Sequence, residues 1–188
     1  MSLLFAFAPF AIFRLLVGLS ISLALWIAFA AAFSFGIRAF LETRTLRVFD
    51  TGSVVLFGIL ALYDGFIARG LQISWISLTL ETGMLFIALW SLLVRRPFTA
   101  QYARELIPAG HREPRAFARS NYMLTAVWAA TFAVMAAADT VVIFVHTVSV
   151  SLAVGVGLVA FAGALTFTWR SAVFIGRSFG KKPFSMKR

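Results

Sequence analysis

Apolar residues fill six long stretches of this chain, near 4–17, 19–37, 51–68, 75–94, 122–145 and 148–175, and polar residues gather in the connections. The runs are continuous. They neither alternate, as in a half-buried strand, nor carry the broad polar face of a helix on a soluble core. Lipid offers the backbone no hydrogen bonds, so a chain this apolar crosses a membrane as helices or as a closed barrel, and unbroken runs of about 20 residues specify helices. The region 3–37 is too long for one comfortable span, and Pro9, Arg14 and Gly18 divide it into a short first segment and a full second span. The expected fold is all-α: a polytopic transmembrane helix bundle of five to six spans, one domain over 1–176, followed by a basic tail at 177–188. A signal peptide is disfavoured, because no basic region precedes the first apolar run and Arg14 lies inside it.

Composition agrees with a membrane protein. Of 188 residues, 61% are hydrophobic and 13% charged, against about 25% charged in a soluble domain. Cysteine is absent, which excludes disulfides, thiolate metal sites and cysteine nucleophiles. A net charge of +10 in a soluble protein would suggest nucleic acid, but the placement of these charges argues for orientation in a membrane instead.

If all six segments cross, fourteen of the seventeen basic residues fall on one side. These are Arg38, Arg44 and Arg47 after the second span, six arginines between the fourth and fifth, and the cluster from Arg177 to Arg188. Arg69 alone lies in an opposite loop, and Arg14 and Arg170 lie within spans. The positive-inside rule makes the basic side cytoplasmic and places both termini there. If the first segment only dips into the membrane, the N-terminus changes sides. Trp75, Trp90, Trp128 and Trp169 lie near predicted span ends, as interfacial anchors do, whereas Trp26 does not.

Small residues predict how the last two spans pack. Ala129, Ala133 and Ala137 recur every fourth position, and Ala153, Gly157, Ala160, Gly163 and Ala164 line the next span. With a short turn around His146 between them, the two spans read as an antiparallel hairpin with close helix approach; a homo-oligomeric interface is the alternative use of the same faces.

Four charged residues lie inside spans: Arg14, Asp64, Glu81 and Asp139. The topology puts all four in the non-cytoplasmic half. Buried charges in a bilayer are expensive and usually face a bundle interior or a watery path. One reading is a structural ion-pair set in which Arg14 neutralises Glu81 or Asp139; another is a polar cavity for a cation, a proton or a polar solute; a third, for Asp64, is exposure at the interface. No catalytic constellation accompanies them. The chain lacks G-x-S-x-G, H-E-x-x-H and a phosphate-binding glycine loop, and two distant histidines do not suggest a haem or zinc site. No enzyme activity and no cofactor are expected.

The longest polar segment, 95–120, contains Arg95, Arg96, Arg104, Arg112, Arg115 and Arg119. Pro97 and Pro108 bracket a helical stretch at 98–107, where Phe98, Tyr102 and Leu106 form an apolar stripe at every fourth position. The stripe and its arginines suit a helix lying on the membrane surface against anionic headgroups, and equally suit docking to another membrane protein.

Arg95-Arg-Pro-Phe, then Arg104-Glu-Leu, then Asn121 and Trp128 resemble the bacterial intracellular septation protein A (YciB) family, and the likeness extends to the Pro-containing start, the basic first loop and Ser74-Trp75. The resemblance implies a bacterial inner-membrane protein linked to septation and envelope synthesis through contacts with other membrane proteins. It supplies no catalytic residues, and the chain departs from the family's pattern at Arg14, Glu81 and Asp139. The expected function is therefore a scaffold of the envelope or division apparatus. The alternatives are a small transporter or channel using the intramembrane acids, and an accessory subunit of a larger membrane complex.

Overall fold

The computed structural model describes residues 6–67, 72–106, 114–145 and 147–179, and among these residues it is helical throughout, with no strand. The helices are α1 (Ala8–Leu16), α2 (Ile21–Thr43), α3 (Val48–Leu62, ending in a π-helical turn, Tyr63–Ile67), α4 (Ile73–Leu93), α5 (Phe98–Leu106), α6 (Pro114–Phe144) and α7 (Val150–Phe179). Among the described residues five stretches are long and apolar enough to cross a membrane: Ile21–Thr43, Val48–Ile67, Ile73–Leu93, Arg115–Phe144 and Val150–Ser171. The protein is thus a multi-pass helical membrane protein. The first apolar segment does not join that set, because nine residues reach only about 14 Å at 1.5 Å per residue, less than half of a hydrocarbon core of about 30 Å. Arg69, His111, Arg112, His146 and the 180–188 tail lie outside the described residues.

Short connections make successive spans antiparallel neighbours. The spanning helices pack in the series α2–α3–α4–α6–α7, with α1 against α2 and α5 against α6 and α4. Ser20 starts α2 as its N-cap, its hydroxyl accepting from Leu23 N at 3.4 Å, one of the donors that a helix start otherwise leaves without a partner. Pro9 sits in the first turn of α1, where its missing N–H costs nothing.

What α1 lacks in length it makes up in aromatic rings. Phe7 stacks on Trp128 with centroids 3.7 Å apart and meets Phe49 and Phe161 edge-on at 4.8 and 5.8 Å. Phe10 and Phe13 continue this face against Phe57. Since Phe49 belongs to α3, Trp128 to α6 and Phe161 to α7, α1 is a wedge driven into the bundle, and its other face, at Leu15, stays exposed. Trp128 is therefore no interfacial anchor: it is fully buried, while Trp75, Trp90 and Trp169 point outward. The alanine stripe is also only partly used. Ala129 is buried and Ala137 exposed, and the packed face of α6 runs instead through Thr125, Trp128, Phe132, Ala136 and Asp139. On α7 Ala153, Gly157 and Ala164 are buried, whereas Gly163 has open space around it.

α3 and α4 cross closely because each offers the other a glycine. A Cβ at Gly83 would sit 2.7 Å from both Leu56 methyls, and one at Gly52 would collide with Ile87. Gly83→Val should cost about 1–3 kcal/mol in reversible unfolding from detergent, with part of the loss recovered by Leu56→Ala. Equal stability of Gly83→Val and wild type would contradict this crossing.

Candidate functional site

The last turn of α1 carries Arg14 into the interior between α4 and α6. Its Nη2 donates a short, ion-paired hydrogen bond to Glu81 Oε1 and stands 3.8 Å from Asp139 Oδ2. α7 closes the fourth side at Gly157, where an added Cβ would lie 3.9 Å from that same nitrogen. The Glu81 and Asp139 side chains are 4% and 5% exposed, and Arg14 is 19% exposed.

Two carboxylates share one guanidinium, so the cluster holds one formal negative charge in excess. The hydrogen bonding is short as well. Glu81 Oε2 and Asp139 Oδ2 are buried without a hydrogen-bond partner, as is Ser77 Oγ, one turn from Glu81 on the same face of α4. Glu81 lies about 12 Å along α4 from Ile73 and Asp139 about 8 Å from the end of α6 at Phe144, both at 1.5 Å per residue. Both therefore sit in the half of the bundle away from α5.

Of the four intramembrane charges, three meet and one does not. Asp64 lies in the π-helical turn of α3 and is 4% exposed, yet it lines a separate cleft with Ser20, Ser22 and Trp26 of α2 and its N-cap. Among the described residues no group of three or more His, Cys, Asp and Glu side chains gathers as a metal site would require.

The amphipathic connection helix is real but lies elsewhere than expected. Phe98 and Tyr102 are 0% and 1% exposed, so both face the protein and neither is open to lipid or to a partner; the Leu106 side chain lies outside the described residues. Phe98 stacks on Phe49 at 4.8 Å, its N–H donates to Ser91 Oγ at 3.3 Å, and Thr99 donates to Asn121 O at 2.9 Å. Gln101 Oε1 accepts from Val48 N, an otherwise orphan donor at the start of α3, at 2.9 Å. Tyr102 donates to Asp50 Oδ1 at 2.6 Å, and the Arg47 guanidinium lies 4.9 Å over the Tyr102 ring and 3.5 Å from Asp50 Oδ2. The physical reason is an offer of partners: α5 carries polar groups between its apolar positions, and α3, α4 and α6 supply complements that a membrane surface cannot. Arg95, Arg96, Arg104, Arg115 and Arg119 remain exposed around this plug. Thr99, Gln101 and Asp50 were not singled out from the sequence, although the polar spacing between Phe98 and Tyr102 was the available signal.

No family model, curated protein or solved structure matches the chain. Its class is defined by its own geometry: a multi-pass helical membrane protein with a short aromatic wedge helix, a plug helix at one end, and an acid-rich ionic cluster buried towards the other.

Proposed function

We propose that the protein is a small, non-enzymatic transporter whose Arg14–Glu81–Asp139 cluster takes up and releases a proton. The observation that carries this reading is the excess carboxylate. A structural ion pair balances its charges, because an uncompensated charge in a low-dielectric interior is costly. Here two acids face one arginine, and each acid keeps a buried oxygen without a hydrogen bond. A proton restores neutrality and supplies the missing donor without a coordination shell. The exposed arginines around α5 support contacts of that end with anionic headgroups and, by the positive-inside rule, its assignment to the cytoplasm. The envelope scaffold implied by the septation-family resemblance would have to use these rim arginines, since Phe98 and Tyr102 are occupied inside the bundle.

The test is proton flux into proteoliposomes under an imposed potential or solute gradient. Wild type should acidify the lumen, and Glu81→Gln and Asp139→Asn should each reduce the rate at least tenfold while still eluting as folded protein. Equal flux in wild type and both variants, or none above empty vesicles, would reject the transporter.

A further inference from the structure

Asp64 is the second unexplained acid of the bundle, and its surroundings differ from those of the cluster. It is 4% exposed, and among the described residues no hydrogen bond or ion pair reaches it. Its carboxylate oxygens are also absent from the fully enclosed atoms that lack partners, so this buried side chain opens into the cleft that it lines. That cleft encloses ≈ 700 Å³ between the start of α2 and the π-helical end of α3, walled by Ser20, Ser22, Trp26, Gly65 and Phe66.

The walls are selective in kind. Ser20 is committed to capping α2, which leaves the Ser22 hydroxyl as a second polar group. Trp26 brings the Nε1 side of its indole against the π-helical turn that carries Asp64, with Nε1 3.7 Å from where a Cβ on Gly65 would stand. An extra residue per turn, as in a π-helix, often marks a functional position. A buried carboxylate wants a cation, and an indole among the lining residues favours a weakly hydrated organic cation over a small metal ion. Asp64 is three residues from Ile67, about 5 Å by helical rise, so the cleft lies near the end of this span.

We infer that this cleft binds an organic ammonium group, with Asp64 as counter-charge, Trp26 as aromatic wall and Ser22 as hydroxyl partner. The site is independent of the proton cluster, because it shares no residue with it. The ammonium has two sources, the headgroup of an ethanolamine lipid or a free amine in solution, and both present the same chemistry.

The experiment measures thermal stability and binding heat of the purified full chain with ethanolammonium and tetramethylammonium, using sodium chloride and tert-butanol as charge and shape controls. Wild type should bind the ammonium ions and not the controls, and Asp64→Asn should lose at least tenfold in affinity. Trp26→Leu, which leaves the charge in place, should weaken tetramethylammonium binding several-fold. In lipid discs, retention of phosphatidylethanolamine over phosphatidylglycerol by wild type and not by Asp64→Asn assigns the headgroup as the source; binding of the free amines without lipid selectivity assigns the soluble one. Identical ammonium binding in wild type and Asp64→Asn, or no binding of either ammonium ion or lipid by folded wild type, overturns the inference.

Discussion

Arg14→Gln should destabilise the protein by about 3–5 kcal/mol, the cost of removing one partner from a buried ion pair, measured by reversible unfolding in mixed micelles. The change leaves Glu81 and Asp139, both nearly inaccessible, facing each other without the guanidinium they share. The same charge count predicts the rescue. Adding Glu81→Gln or Asp139→Asn to Arg14→Gln should recover about 1–3 kcal/mol, as expected for residues coupled in one network. Asp139→Asn alone should leave stability unchanged or raise it, since Asp139 is 3.8 Å from the guanidinium and accepts no hydrogen bond at Oδ2. A marked loss of stability in Asp139→Asn would instead mark the cluster as a balanced structural pair and remove the basis for the proton site.

Trp128→Ala should cost about as much, 3–5 kcal/mol by comparison with other buried aromatic truncations, for a different reason. Inside a bilayer, lipid tails are as apolar as the core, so helix association depends on packing. Trp128 ties α6 to two other elements at once, stacking on Phe7 at the start of α1, meeting Phe161 of α7 at 5.5 Å and donating from Nε1 to Thr168 Oγ1, also on α7, at 3.2 Å. Trp128→Phe keeps a ring and loses the hydrogen bond, so its cost should be about 1 kcal/mol greater than that of repacking alone. Phe7→Ala combined with Trp128→Ala should cost less than the two losses added, because each removes the same stack. Strict additivity would show that the wedge does not hold through this pair.

How far these features could be read from the sequence depends on which physical constraint governs each. The five spans were legible because lipid forces an unbroken apolar helix on any chain that crosses it. Arg14, Glu81 and Asp139 were legible as a set because charges at such depth are rare and helical rise converts sequence position directly into depth. Depth is only one coordinate. Azimuth around the bundle separates Asp64 from the other three, and that depends on which helices neighbour which. The stripe of Phe98 and Tyr102 correctly announced a covered face, but periodicity does not say what covers it. Trp128 misled for a related reason: a tryptophan near a span boundary anchors at the interface if its face looks outward and fills the core if it looks in. α6 extends to Pro114, which moves Trp128 well away from the helix end.

The distance along the chain between Arg14 and its acids has a consequence for how the molecule is made. Glu81 follows Arg14 by 67 residues, and Asp139 follows it by 125. At a synthesis rate of about 5–20 residues per second, roughly 6–25 s separate the emergence of the arginine from that of its second acid. Until Glu81 emerges, roughly 3–13 s after the arginine at the same rate, a nine-residue helix too short to cross the bilayer carries its guanidinium without either acid. The ring contacts of the wedge with Trp128 and Phe161 wait for α6 and α7, so it completes its packing only after helices translated well after it.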